Sequence, residues 1–179
     1  MFCACGARMF REFCPSCDRE PAKTRTRVRG EDVVAVARSL VGVPYRAQGR
    51  SAEGIDCLGI LIHVFSKLGI LSNLSVPQYL DQFEVDPDIA RVSSSLRRRF
   101  LLVEMVRAGL TPFEAKDEDD LRPGDIACFG RGGAMTHIGV LSPGTVIHAN
   151  TQRGMVVEDP YSTCKPIQIA LFRVPGVES

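Results

Sequence analysis

The feature of this sequence that most constrains its fold is a change of pattern near Pro112. Before this point apolar residues recur every three or four positions, as in amphipathic helices, and after it short apolar runs alternate with turn residues, as in strands. The predicted helices are 31–41, 57–69 and 95–108, and the predicted strands are Ile126–Phe129, His137–Leu141, Val146–Ala149, Met155–Glu158 and Ile167–Val174. Helices followed by consecutive strands indicate an α+β domain, with N-terminal helices packed on an antiparallel β-sheet.

The first predicted helix has recognisable start and stop signals. Gly30 is expected to cap its start, and Glu31 and Asp32 suit the positive end of the helix dipole. Gly42 and Pro44 follow its last apolar residues and are expected to end it.

The second predicted helix, 57–69, is apolar nearly all round, which is typical of a buried central helix. A loop rich in Gly and Ser precedes it, and Asp56 is a natural N-cap that leaves Cys57 at the first helical position. Unpaired amides and the helix dipole favour an anion there, so we expect the pKa of the Cys57 thiol to be lowered and the residue to act as a nucleophile. The alternative is that Cys57 is a small apolar residue packed in a buried helix.

Two histidines, His137 and His148, lie in neighbouring predicted strands joined by a turn with Pro143 and Gly144 at its centre. If the residues that flank this turn pair, Gly139 faces His148, and His137 lies on the same face because it is two residues from Gly139. The histidines are then diagonal neighbours on adjacent strands. A Cys/His pair with a third polar group that orients the imidazole is the arrangement of papain-like catalysis, with His137 as base and His148 as the orienting group.

The other residues able to carry chemistry in this part of the chain are interpreted as structural. His63 lies about 240° round the helix from Cys57 and therefore points elsewhere. Cys128 lies in a predicted core strand and Cys164 in a predicted loop, and the acidic run 117–120 is typical of a solvated loop.

A cysteine-rich head, residues 1–22, precedes a basic linker, 23–30, and the catalytic domain, 31–179. Its cysteines form two tight pairs that can grip one tetrahedral ion; they are Cys3, Cys5, Cys14 and Cys17. We expect a small zinc-ribbon-like head that binds Zn²⁺, with an iron–sulfur cluster as the main alternative. A disordered tail with free or disulfide-linked cysteines is the third possibility. No metal or cofactor is expected to take part in catalysis.

The balance of charge argues against two classes of partner. Lys and Arg total 22 and Asp and Glu total 21, which gives a net charge of +1, so neither nucleic acid nor an anionic membrane is expected. Residues 1–29 carry no apolar segment typical of a secretory signal. We therefore expect the protein to be made in the cytoplasm and to stay soluble, unless another route carries it out.

Five segments, taken in order, resemble the NlpC-type cell-wall cysteine peptidases. They are ARSLVGVPYRAQG, GIDCLG, LRPGDIACF, THIGVL and VIHAN. The resemblance covers about Val33 to Val174 and is closest in look to the peptidases of phage tails and gene-transfer particles. It says nothing of the cysteine-rich head.

The resemblance implies a papain-like fold and hydrolysis of the bond between D-γ-glutamate and the diamino acid in peptidoglycan stem peptides. Cys57, His137 and His148 match the family's triad, and Tyr45 matches a tyrosine that positions the site or stabilises the oxyanion. Tyr45 could equally be a packing residue after Pro44. Asp56 matches the acid before the cysteine and is a candidate substrate-binding residue, although capping is sufficient to explain it.

Three functions remain open on the sequence alone. The first is a cell-wall endopeptidase carried to its substrate by a phage tail or particle, with the head docking to a tail protein. The second is a structural tail-tip or assembly protein with a peptidase-like fold, against which the intact Cys57, His137 and His148 argue. The third is another cysteine amidase or acyltransferase on the same fold, for example a cytoplasmic amidase that acts on recycled muropeptides.

Overall fold

The computed structural model of the protein describes residues 27–70, 105–131 and 134–178. In chain order its regular elements are β1 (Val28–Arg29), α1 (Gly30–Arg38), β2 (Arg50–Ser51), β3 (Gly54–Ile55), α2 (Cys57–Leu68), β4 (Thr111–Phe113), β5 (Ile126–Arg131), β6 (Ala134–Ser142), β7 (Thr145–Asn150), β8 (Met155–Pro160), α3 (Tyr161–Cys164), β9 (Gln168–Arg173) and β10 (Val177–Glu178). Two 3₁₀ turns lie at Glu118–Asp120 and Lys165–Ile167.

The centre of the fold is an antiparallel sheet of six strands in the order β4-β9-β5-β6-β7-β8. Alternate residues of each strand face opposite sides, so Ile126 and Cys128 join the main core with α1 and α2, while Ala127 and Phe129 join a smaller cluster on the other face. The expected arrangement of N-terminal helices on an antiparallel sheet is confirmed for the described residues.

Helix α1 begins one residue earlier and ends three residues earlier than the sequence pattern predicts, before the expected stop signals. Its N-cap is Arg29, whose N–H donates to the Asp32 carboxylate at 2.8 Å, and Gly30 is the first helical residue. A Cβ at position 30 would clash with the backbone carbonyl of Pro123. The prediction that Gly30 caps this helix is therefore wrong, and the absence of a side chain serves instead to let the helix approach the loop before β5.

Helix α2 begins where the pattern predicts and ends at Leu68, one residue before the predicted end. Asp56 is its N-cap, and Gly69 follows its last residue in the left-handed conformation, with φ 65°. The five predicted strands are also present, each within a few residues of its predicted ends. The sequence did not indicate β1, β2, β3, β4 or β10, because strands of two or three residues are too short to show alternation.

Parts of three predictions fall on residues outside the described ranges. Of the predicted helix 95–108, residues 105–108 are described; 105–107 are helical and 108 is a turn. The predicted head, 1–22, lies wholly outside, so its fold stays a prediction. Of the predicted linker, Val28 and Arg29 form a parallel pair of strands with Val177 and Glu178. Among the helices of residues 27–70, 105–131 and 134–178, none is both long and apolar enough to cross a membrane.

Candidate active site

The N-terminus of α2 is fixed by the carboxylate of Asp56. Its Oδ1 accepts hydrogen bonds from the Gly59 N–H and from the Arg50 guanidinium, both at 2.6 Å, and its Oδ2 accepts from the Gln48 N–H at 2.9 Å. The first bond is an N-cap, and the other two tie the preceding loop to the helix. The capping role predicted for Asp56 is confirmed, while its substrate-binding role stays a prediction.

Two glycines let this loop lie directly on the helix. A Cβ on Gly59 would clash with the carbonyl oxygen of Gly49, and a Cβ on Gly49 would clash with the carbonyl oxygen of Gly54. The short antiparallel pair β2–β3 therefore folds back over the first turn of α2. This packing holds Cys57 at a rigid point of the fold.

The thiol of Cys57, a half-buried residue, lies against strand β6. Burial and the nearby charge of Asp56 raise the pKa of this thiol to about 11, although the N–H groups of Ile138, Leu58 and Cys57 itself act to lower it. The expectation that the helix terminus lowers the pKa of Cys57 is therefore wrong, because loss of hydration outweighs the helix dipole. The resting group is a neutral thiol.

The contact with Ile138 is possible because β6 and β7 separate at this level. Their described pairs run from Ser142–Thr145 to Val140–Ile147 and end there. The Ile138 N–H points to the same side of β6 as that of Val140, because successive backbone groups alternate. It is therefore free to reach the sulfur, and it belongs to the residue that directly follows His137.

The hairpin β6–β7 has the predicted register, since Ser142 pairs with Thr145. As predicted, the two histidines are diagonal neighbours: His137 Nε2 and His148 Nδ1 are 2.7 Å apart, and the ring centroids are 4.8 Å apart. A Cβ on Gly139 would clash with Val146, lie close to the Ile147 carbonyl oxygen and touch the Cβ of His148. Glycine at this position therefore makes room for the histidine pair.

Both imidazoles are neutral at physiological pH. Burial, with a smaller contribution from His148, lowers the pKa of His137 to about 4. Burial also lowers the pKa of His148, against the opposing effect of a hydrogen bond to Asp159. A neutral imidazole has one donor and one acceptor nitrogen, so it can act as a base.

Asp159 and Arg153 extend the pair and were not found from the sequence. Asp159 Oδ2 lies 3.2 Å from His148 Nε2, and Asp159 Oδ1 accepts from the Arg153 guanidinium at 2.9 Å. The signal was present in the next hairpin, where His148 pairs with Val157. Asp159 is two residues from Val157 and so shares the face of His148, but the predicted strand stopped at Glu158.

Tyr45 lies between the β7–β8 turn and the segment that leads into α2. Its N–H donates to the Gly154 carbonyl at 2.7 Å, which ties it to the β7–β8 turn, and it forms a bridge with Ile55, two residues before Cys57. Its half-buried side chain packs against the main core. This placement fits the packing alternative, and the catalytic role of Tyr45 stays a prediction.

The residues interpreted as structural lie apart from the histidine pair or deep in the core. His63 is half-buried in α2 and Cys164 lies in α3. Cys128 is fully buried near Cys57, and burial, with that neighbour, raises the pKa of its thiol to about 12. Within the described ranges no cluster of three His, Cys, Asp or Glu side chains could hold a metal ion, and the four cysteines of the head lie outside those ranges.

The sequence matches the NlpC/P60 family over residues 42–169, which is most of the chain. The chain belongs to the NlpC/P60 family. Members of this family are cysteine peptidases or amidases. A search of curated proteins finds no match.

Solved structures agree with the NlpC/P60 assignment at the level of the fold. The NlpC/p60 domain of the peptidoglycan hydrolase SagA is 20% identical with a TM-score of 0.55, and the match covers 82% of this chain and all of that one. NlpC2 from Trichomonas vaginalis is 18% identical with a TM-score of 0.56, covering 87% of this chain and 49% of that one. The P60 domain of antigen MAP1204 from M. avium subspecies paratuberculosis is 21% identical with a TM-score of 0.51, covering 84% and 96%.

Proposed function

We propose that this NlpC/P60 protein is a cysteine endopeptidase that hydrolyses peptidoglycan stem peptides at the bond between D-γ-glutamate and the diamino acid. One observation carries the proposal: His137 and His148 share a 2.7 Å hydrogen bond, and the residue after His137 contacts the Cys57 thiol through its N–H. A nucleophile and a base that is oriented by a third group suffice for acyl transfer to water. The substrate is inferred from the family and from the peptidoglycan hydrolase of the same fold.

The proposed reaction begins from a neutral pair. His137 takes the thiol proton as the Cys57 sulfur attacks the carbonyl carbon, because a thiol with a pKa of about 11 does not ionise beforehand. The imidazolium returns that proton to the leaving amine, and a thioester with Cys57 remains. Water, deprotonated by His137, then attacks the thioester and releases the acid and the free thiol.

The first test is digestion of purified peptidoglycan, with mass spectrometry of the released fragments. The wild type is expected to give new ends between glutamate and the diamino acid, and Cys57→Ala none. Cys164→Ala is the matched control, because it removes a cysteine of α3 and should cut like the wild type. If a folded wild type releases nothing from sacculi or from soluble muropeptides, the endopeptidase proposal fails and a structural role takes its place.

The same digestion separates two settings for the enzyme. We also propose that a phage tail or phage-like particle carries it to the wall, a reading supported by the likeness of the DCLG segment, residues 56–59, to tail-associated peptidases. Cleavage of intact sacculi and recovery of the chain from purified particles are expected. Cleavage of soluble muropeptides alone would point to a cytoplasmic recycling amidase instead.

We propose further that the four cysteines of residues 1–22 bind one Zn²⁺ and that this head docks to a partner protein. Purified protein is expected to contain one zinc per chain by elemental analysis, and less when Cys14 and Cys17 are both changed to Ser. If iron and acid-labile sulfide are found instead, the head binds an iron–sulfur cluster. If no metal is found, the proposal of a metal-binding head fails and the third possibility, an unstructured tail, takes its place.

A further inference from the structure

The carboxylate of Asp159 closes a hydrogen-bonded chain that starts at His137. The chain runs from His137 Nε2 to His148 Nδ1, from His148 Nε2 to Asp159 Oδ2, and from Asp159 Oδ1 to the Arg153 guanidinium, over distances of 2.7, 3.2 and 2.9 Å. The His148 and Asp159 side chains are 7% and 14% exposed, so water competes little for these bonds. Arg153, at the outer end, is 59% exposed and forms an ion pair with Asp159.

Donors and acceptors in this chain can be assigned from its outer end. A carboxylate accepts and cannot donate, so the proton of neutral His148 lies on Nε2. His148 Nδ1 is then an acceptor, and His137 must donate to it from Nε2. Because His137 is also neutral, its Nδ1 carries a lone pair, which a general base requires.

We propose that Asp159, held by Arg153, is a positioning residue that fixes the tautomer of His148 and, through it, leaves His137 Nδ1 free to act as the base. This inference deepens the proposed function and rests on it. Without the carboxylate, His148 can carry its proton on Nδ1 and donate to His137 Nε2. His137 would then hold its own proton on Nδ1, facing away from the chain, and could not accept one from a thiol.

The charged groups on neighbouring elements leave this assignment intact. Glu158, next to Asp159 on β8, lies on the opposite face and pairs with Arg38 of α1 and with the Thr145 hydroxyl. The Asp56 carboxylate accepts hydrogen bonds from Arg50 and from the first turn of α2. Asp159 is therefore the carboxylate that the geometry joins to the histidines.

Asp159→Asn is the decisive variant. The Arg153 guanidinium donates, so it would hold the amide oxygen and turn the amide NH₂ towards His148 Nε2. The donor and acceptor roles in both hydrogen bonds, from residue 159 to His148 and from His148 to His137, would then reverse. A comparable reversal costs about 10⁴-fold in kcat where the carboxylate contacts the catalytic histidine directly. Asp159 acts through His148, so we expect a smaller effect: kcat on peptidoglycan fragments should fall about 100-fold, with little change in KM. Asp159→Ala, which leaves both tautomers open, should fall less.

The matched control is Glu158→Gln, the same chemical change at the adjacent residue of β8, on the other face. It is expected to keep the kcat and tautomers of the wild type. Equal kcat values for Asp159→Asn and Glu158→Gln would overturn the proposal, as would a loss in Asp159→Asn that appears in KM alone.

Nitrogen-15 NMR of the imidazoles gives a readout that needs no activity. In the wild type both His137 and His148 are expected to carry their protons on Nε2, and in Asp159→Asn on Nδ1. A wild-type His148 protonated on Nδ1 would overturn the inference even if Asp159→Asn failed to fold. Failure of the wild type to cut peptidoglycan, with the expected tautomers present, would remove the proposed substrate and leave the positioning role supported.

Discussion

His137 and His148 are joined ring to ring by a 2.7 Å hydrogen bond across two strands that no longer pair at that level. The bond is set by the hairpin, in which Ser142 pairs with Thr145, and by the lack of a side chain at Gly139. A shift of one residue would send the two rings to opposite faces of the sheet. The register of one short turn therefore decides whether the candidate site exists.

Alkylation of Cys57 should be slow at neutral pH. A thiol pKa of about 11 leaves roughly one molecule in 10⁴ as thiolate at pH 7, about a hundredfold less than for an ordinary cysteine. The rate of iodoacetamide labelling at Cys57, followed by peptide mass spectrometry, is expected to rise steadily from pH 7 to pH 10. A rate that levels off below pH 8 would mean a preformed thiolate and would contradict the raised pKa.

Acid should destabilise the fold through the histidine pair. The pKa of His137 is lowered from 6.5 to about 4, so between these values the unfolded chain binds the proton and the folded one does not. The contribution of neutral His137 to the free energy of unfolding is complete above pH 6.5 and is lost as the pH falls through 4. The total loss is roughly 3 kcal/mol. The lowered pKa of His148 acts in the same direction.

Urea unfolding at pH 7 and at pH 4 measures this loss. His137→Gln removes the group that titrates and is expected to flatten the dependence on pH in this window. An equally steep loss in that variant would assign the acid sensitivity to other residues.

Gly139→Ala should disturb the β6–β7 hairpin that carries His137 and His148. The added methyl group would clash with Val146, which lies on the same strand and face as His148, so we expect the free energy of unfolding to fall by about 1–3 kcal/mol and activity to fall with it. In a double-mutant cycle, Val146→Ala should relieve part of the loss. Strictly additive effects of the two changes would show that the crowding at Gly139 comes from elsewhere.

Asp56→Ala separates capping from substrate binding. The carboxylate accepts from Gly59, Arg50 and Gln48, so its loss is expected to lower the free energy of unfolding by about 1–2 kcal/mol. If Asp56 also binds substrate, KM should rise in addition. Asp56→Asn keeps one oxygen for the cap and loses the bond from the Gln48 N–H, so it should cost less stability than Asp56→Ala. A raised KM in this variant would assign a substrate role, and an unchanged KM would leave capping alone.

The sequence predicted the elements that local pattern controls. The apolar spacing of 57–69 and the cap at Asp56 identified the first residue of α2 and placed its end within one residue, because both depend on neighbours within one helical turn. The turn at 142–145 fixed the register of its own hairpin, and with it the histidine pair. The β7–β8 hairpin obeys the same rule, so Asp159 was within reach of that reasoning.

Other features depended on residues far apart in the chain. Gly30 could not be assigned its role without Pro123, which lies against it only in the folded protein. The strands of two or three residues are specified by the partners they find, as β1 is by β10.

The sequence by itself determined the helix that carries Cys57, the strands that carry His137 and His148, and the register that joins the two rings. Only the tertiary structure decided that the thiol lies against the Ile138 amide, that its pKa is raised to about 11, and that the Arg153 guanidinium holds the Asp159 carboxylate. The physical reason is one of range. Periodicity, caps and turns act over a few residues, whereas burial and electrostatic environment are sums over the packed neighbours of a group.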